Sequence, residues 1–257
     1  RPPPRNQLAC ITEMPFLELQ GAEAVEDMRR PGPIKTHLAF PLQPYSSDAK
    51  YIYVTRNPYD CCVSFFYHTR DMPDYHFEEG TFDQFFDMFL EGKVDFGDYF
   101  DHVLSWYEHR NDPNVLFVTY EQLKENIRSC VLKIADFLGD EFGQKLRNDE
   151  SCLENVLRNV SLASMKEGIN DSMKNVSDGL ELLPSKKMPK WCELVMETVG
   201  KETFEKPMKG EFIRKGIVGD WRNHFSAEQV QRLKHKIEER TRGIDIMSIW
   251  KDTDIPK

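Results

Sequence analysis

The sequence predicts an α/β protein, a mostly parallel sheet flanked by helices in a single domain. Two strand-then-helix units carry that expectation. Tyr51–Thr55 (YIYVT) is aromatic or β-branched throughout and leads into a helical pattern from Pro58. Val115–Thr119 (VLFVT) has the same character and leads into a helical stretch over 122–139. Strands that alternate with helices imply parallel pairing, because each crossover helix returns the chain to the same end of the sheet.

Taken in order, Arg1–Gln7 is proline-rich and expected to be an irregular start. Pro15–Gln20 (PFLELQ) is followed by Gly21 and a helical stretch over Ala22–Arg29, and the turn residues of RPGPIK follow over 30–35. Ile34–Leu38 reads as a short strand whose end is marked by His37, and Pro41–Ser47 as a polar loop. Tyr51–Thr55 is expected to be a buried strand ended by Arg56 and Asn57. Pro58 suits the first position of a helix, where its missing N–H is harmless. Asp60 falls in the first turn, where a carboxylate favours the helix dipole. Val63, Phe66, Tyr67 and Arg70 then recur at helical spacing.

Further on, Phe82, Phe85, Phe86 and Phe89 mark one face of a helix, as do Val103, Trp106 and Tyr107 within Tyr99–His109. Tyr120 stands at the end of the second strand. Ile127, Val131, Ile134 and Phe137 define the inner face of the helix after it, and Glu141–Asn159 adds one or two more. Asn170–Pro189 lacks periodicity and reads as a mobile loop. Leu194–Glu205 reads as helical, Phe212–Gly219 as a basic, glycine-bearing loop and Ala227–Thr241 as a charged helix.

Bulk properties narrow the function. Charged residues at 30% and hydrophobic ones at 40% suit a folded, water-soluble domain. The formal net charge of −9 argues against nucleic acid as the main partner, while leaving room for a local site for a small anion. No apolar run reaches the ~18 residues that would suggest a membrane span. The opening RPPPRNQ lacks the apolar core of a secretory signal, so a cytoplasmic location is expected. The cysteines at 10, 61, 62, 130, 152 and 192 are irregularly spaced and form no C-x-x-C pair. They read as reduced thiols rather than as disulfides or a zinc site, and no metal is expected.

A strand that ends on an arginine just before a helix N-terminus makes an anion site. Arg56 offers a two-pronged guanidinium, the helix end offers free N–H groups and Ser64 adds a hydroxyl. The stretch TRNPYDCCVSFFYH resembles the sulfotransferase motif R-N-P-x-D-x-x-V-S, with Arg56, Asn57, Pro58, Asp60, Val63 and Ser64 in register. The resemblance implies that Arg56 and Ser64 bind the 3′-phosphate of 3′-phosphoadenosine 5′-phosphosulfate (PAPS). FIRKGIVGDW over 212–221 likewise resembles that family's R-K-G-x-x-G-D-W loop, which implies that Arg214, Lys215 and Gly216 close over the same phosphate. Lys35-Thr36-His37 matches the family's K-T-H segment. It implies His37 as general base toward an acceptor hydroxyl and Lys35 as a stabiliser of charge on the transferring group. Tyr120 matches the adenine-contacting tyrosine. Leu162 falls where relatives carry the aromatic of T-S-F, which leaves stacking on the base open there, and Phe16 matches a position lining the acceptor pocket.

The resemblance covers about 15–240 and implies one sulfotransferase domain over 1–257, with a fold like that of the P-loop nucleotide-binding enzymes. The implied function is transfer of a sulfuryl group from PAPS to a hydroxyl of a small phenol, amine-phenol or steroid-like acceptor, with release of 3′,5′-diphosphoadenosine (PAP). The alternative is a non-catalytic module of the same fold that binds a 3′-phosphonucleotide. A nucleotide kinase is disfavoured, since no G-x-x-x-x-G-K-[ST] occurs. The family's 5′-phosphosulfate loop, roughly Y-P-K-S-G-T-T-W, is not in this sequence. The chain as given is therefore expected to be an N-terminally incomplete member, lacking the first strand and that loop and keeping the 3′-phosphate half of the site. The family's dimer pattern K-x-x-x-T-V-x-x-x-E aligns with Arg222, Ser226, Ala227 and Gln231, none of them identical, so a weakened or absent homodimer contact is expected.

Overall fold

The computed structural model describes residues 13–174, 190–200, 203 and 206–256. Their contacts divide them into two compact units. One contains 38–66, 81–158 and 217–256, and the other contains 13–37, 67–80 and the described part of 159–216.

The first of these holds the sheet. Strand β1 (Tyr51–Thr55) pairs in parallel with β2 (Val115–Thr119), in a register that sets Tyr51 opposite Val115 and Thr55 opposite Thr119. Both strands fall where the sequence places them. β1 is less buried than its composition suggests. Ile52 and Val54 are 39% and 52% exposed, while Tyr53 stacks on Trp106 with ring centroids 5.2 Å apart. β2 is the strand's one partner among the described residues, and the face of β1 that carries Ile52 and Val54 is the exposed one.

Helix Pro58–Asp71 begins after β1, and its residues to Phe66 belong to this unit. The phenylalanine helix, Phe82–Leu90, starts on a reciprocal cap between Thr81 and Gln84 and buries Phe85, Phe86 and Phe89. Tyr99–Tyr107 is capped by Asp98 and buries Phe100, Val103, Trp106 and Tyr107. The helix expected over 122–139 is two helices, Tyr120–Glu125 and Ile127–Leu138. Asn126 separates them, with non-helical φ −147° and ψ 79°, and its side chain accepts the Ser129 N–H that opens the second. Ile127 is therefore a first-turn residue and exposed. Cys130 and Ala135 take the buried positions instead.

Asp140–Asn148 and Glu150–Asn159 follow. Ala227–Arg240, capped by Ser226 with Gln229, buries Leu233 and Ile237. A 3-10 segment, Asp245–Trp250, lies beyond the stretch covered by the sequence resemblance and buries Ile246 and Trp250.

The second unit contains helix Leu17–Asp27, broken at Gly21 (φ 71°, ψ −174°). The strand expected at Ile34–Leu38 is a single parallel bridge, Phe16 to Lys35. Beyond the bridge the His37 N–H donates to the Glu18 side chain rather than to a neighbouring strand. Lys166–Asn170 forms a π turn and Asp171–Lys174 continues as helix, so the aperiodic stretch from Asn170 opens helically. Helix Lys190–Val199 is interrupted at Gly200 (φ 85°), and Thr203 beyond it is again helical. The expected irregular start over 1–7 and the loop residues 175–189 lie outside the described residues.

Cys61, Cys62, Cys130 and Cys152 are free thiols. Burial pushes the Cys61 thiol up to about 11 and that of Cys62 well above its usual range. No helix among the described residues is long and apolar enough to cross a membrane.

The aromatic core and the open sheet face predict different sensitivities. Phe85→Ala should cost about 3–5 kcal/mol of unfolding free energy in chemical denaturation. Val54→Ala should stay within about 0.5 kcal/mol. A large loss at Val54 with little at Phe85 would contradict this assignment of the core.

Candidate functional site

In the sheet-bearing unit, Arg56 leaves the end of β1 and meets three groups. Its guanidinium carbon lies 4.4 Å from the Tyr120 ring centroid, a cation–π contact. Its Nη2 donates to the Ile217 carbonyl at 2.7 Å and stands 3.8 Å from Asp60 Oδ2. The Arg56 side chain is 17% exposed, and its Nε is buried with no hydrogen-bond partner. A buried donor without an acceptor is costly, and a phosphate oxygen would satisfy it. The backbone is fixed as well, since Tyr99 OH donates to the Arg56 carbonyl at 2.6 Å. Burial raises the Tyr120 phenol above its ordinary range, with the Arg56 charge opposing that rise. Ser64 lies within helix Pro58–Asp71 and is exposed. Arg56 and Tyr120 are thus brought together, and Ser64 remains available on its helix.

Beneath Arg56 is a buried polar hub that sequence reading missed. Asn57 caps the helix through its Oδ1, which accepts the Asp60 N–H at 2.9 Å. Its side-chain amide donates to Asp60 Oδ2 at 3.0 Å and to Glu121 Oε1 at 2.6 Å, and its backbone N–H also donates to Glu121 Oε1 at 3.0 Å. Glu121 Oε2 accepts from Trp250 Nε1 at 2.8 Å. Asp60 stands in the first turn of its helix, as expected. It is also buried, and its two oxygens accept the Gly219 N–H at 2.7 Å and the Trp221 N–H at 3.0 Å.

The other unit groups Phe16, Lys35 and His37. Lys35 N–H donates to the Pro15 carbonyl at 2.8 Å and Leu17 N–H to the Lys35 carbonyl at 2.9 Å, which sets the two short segments side by side. Lys35 Nζ lies 4.2 Å from the Phe16 ring centroid, and the His37 ring meets Phe16 edge-on at 4.9 Å. Glu18 Oε1 accepts the His37 N–H and, at 3.1 Å, the Thr36 hydroxyl. The residue pattern gave no sign of this role for Glu18, because the bridge that aligns the two segments involves their backbones.

The same unit holds Leu162, Arg214, Lys215 and Gly216. The Arg214 guanidinium lies 4.2 Å from the Tyr67 ring centroid, and Arg70 lies 4.6 Å from the same ring. Gly216 has φ +65°, and a Cβ there would come within 2.5 Å of Leu162 Cδ1. Leu162 therefore packs on the glycine of the basic loop. Ser161 caps the short helix Leu162–Met165 that carries it. The Asn170 side chain brackets Ile213, accepting its N–H at 2.7 Å and donating to its carbonyl at 3.2 Å.

Comparison with known proteins identifies the family. The model described as "Sulfotransferase domain" matches residues 5–245. An amine sulfotransferase of Oryctolagus cuniculus is 32% identical over 245 residues, covering 93% of this chain and 71% of the relative. Sulfotransferase 1E1 of Cavia porcellus is 32% identical over 247 residues, covering 93% and 73%. Among solved structures, mouse sulfotransferase SULT7A1 complexed with PAP aligns with a TM-score of 0.67 at 30% identity, over 90% of this chain and 73% of that one. With a family model spanning most of its length and relatives that agree with it, the chain belongs to the sulfotransferase family.

Proposed function

We propose that this chain serves transfer of a sulfuryl group from PAPS to a hydroxyl of a small phenol, amine-phenol or steroid-like acceptor, with release of PAP. The observation that carries this reading is Arg56, a strand-end guanidinium beside Tyr120 with a buried Nε that lacks an acceptor. It stands inside the six-residue match to R-N-P-x-D-x-x-V-S. Arg56 and Ser64 bind the 3′-phosphate in this reading, as do Arg214, Lys215 and the free backbone at Gly216. Tyr120 contacts the adenine. Leu162, packed on Gly216, is assigned to the shape of the basic loop rather than to stacking on the base. Both units form parts of one sulfotransferase domain, for which a cytoplasmic location and a weak or absent dimer contact are proposed.

Bound PAPS would supply the sulfuryl group. His37 takes the proton of the acceptor hydroxyl as that oxygen bonds to sulfur and the bond from sulfur to the 5′-phosphate oxygen breaks. Imidazole titrates near neutral pH and suits this task. Lys35 offsets negative charge on the group in transfer. Phe16, in edge contact with His37, lines the acceptor side.

Calorimetric binding of PAP separates the two roles. Arg56→Ala should weaken binding by about 1.5–3 kcal/mol, the cost of one charge-assisted contact. His37→Ala should leave binding nearly unchanged. It should also lower single-turnover transfer to a phenol by about 10²–10⁴-fold, measured in the chain joined to a segment carrying the family's 5′-phosphosulfate loop. Equal loss of PAP affinity in both variants would refute the division.

Gly216→Ala tests the basic loop. A side chain at φ +65° is strained and meets Leu162, so PAP affinity should fall about tenfold, or ~1.4 kcal/mol. Adding Leu162→Ala should restore part of it. Tighter binding in the single variant would show that Gly216 is not shaped by Leu162.

A further inference from the structure

The reading of Asp60 as a first-turn acid leaves unexplained why a buried carboxylate sits 3.8 Å from the guanidinium proposed to bind an anion. By charge alone Asp60 opposes phosphate binding, since a negative group beside Arg56 competes for it. Its hydrogen bonds describe a different task. Oδ2 accepts the Gly219 N–H and Oδ1 the Trp221 N–H, so one carboxylate holds both sides of the turn that leads into the 3-10 segment Asp220–Asn223. Gly219 makes that turn at φ 89°. Two residues earlier, Ile217 O accepts from Arg56 Nη2. Asp60 thus fixes the backbone on which the Arg56 guanidinium rests, and the Tyr120 ring limits it on another side. Asp60 is itself held by the Asn57 side-chain amide, and Asn57 by Glu121.

We propose that Asp60 is a positioning residue of the nucleotide site. It clamps the Gly219–Trp221 backbone so that Arg56 is presented in one orientation, and it does so at an electrostatic cost to anion binding. The proposal rests on the nucleotide reading above and extends it to a residue that touches no nucleotide.

The two effects of Asp60 have opposite signs, which makes the proposal testable. Asp60→Asn keeps the shape but removes the charge and replaces one acceptor by a donor, so the Gly219 and Trp221 N–H groups can no longer both be satisfied. If the clamp dominates, PAP affinity falls about tenfold, equivalent to ~1.4 kcal/mol, and amide exchange at 219–221 accelerates while β2 stays protected. If charge dominates, PAP binds equally well or more tightly and the proposal is overturned. Leu233→Ala, in the buried face of helix Ala227–Arg240, controls for general destabilisation. It should lower the melting temperature without changing PAP affinity, and an equal loss of affinity there would reduce Asp60 to a structural role.

Should Asp60→Asn fail to fold, Asp60→Glu keeps the charge and displaces the acceptors by a methylene. It should still weaken PAP binding several-fold, and unaltered affinity would overturn the proposal. If the wild-type chain binds no PAP, the nucleotide reading itself fails and takes the role of Asp60 at that site with it. Amide exchange at 219–221 in Asp60→Asn then decides only whether the clamp on the loop exists.

Discussion

The sheet-bearing unit depends on the pairing of two buried carboxylates. Asp60 and Glu121 are both withdrawn from water, and an unpartnered charge in that position would cost several kcal/mol. Each is satisfied by N–H groups that include donors from distant parts of the chain. Asp60 takes two backbone donors from 219 and 221 and one from Asn57, while Glu121 takes Asn57 twice and Trp250 once. The end of β1, the start of its helix, the helix after β2 and the C-terminal turns are thereby tied to one point. Loss of either acid would leave several buried donors unsatisfied at once. The arrangement is therefore better described as a cooperative network than as a set of ion pairs.

The network also accounts for what the sequence could and could not show. β1, β2 and the phenylalanine helix were legible because strand composition and 3.6-residue periodicity are local signals. Asn126 split a helix that periodicity alone would run through, since its conformation and cap depend on the turn it makes. The Ile34–Leu38 segment has strand-like residues, but it forms one bridge and the His37 N–H goes to a side chain. Trp250 is buried far from its sequence neighbours' pattern, on a glutamate 129 positions away, and no periodicity could report that.

The candidate site follows the same division. Arg56, Arg214, Lys215 and Gly216 were readable because each lies in a contiguous phrase whose residue types suit a phosphate. The groups that hold them were not readable. Asp60 meets Gly219 across 159 positions, and Leu162 meets Gly216 from a separate helix. Tyr67, which faces both Arg70 and Arg214, looked like one more apolar helix position. Spacing within a motif reveals which atoms could bind a ligand, whereas the residues that aim those atoms are chosen by tertiary contact and leave no local trace.

An acidic chain proposed to bind a doubly phosphorylated nucleotide needs its cations insulated from its own carboxylates. The net charge of −9 is spread over a surface where screening acts within about 10 Å at moderate salt. Asp60 is the acid closest to Arg56 at 3.8 Å among the ion pairs described, and both of its oxygens are already occupied by backbone N–H groups. Those dipoles, together with the Asn57 amide, spread its negative charge away from the guanidinium. Arg56 meanwhile keeps an Nε that nothing in the described structure accepts. In the proposed reading, the same hydrogen bonds that hold Gly219 and Trp221 would weaken the competition Asp60 offers to a phosphate at Arg56, so that rigidity and anion affinity, opposed at the level of net charge, would be reconciled by which groups the carboxylate accepts from.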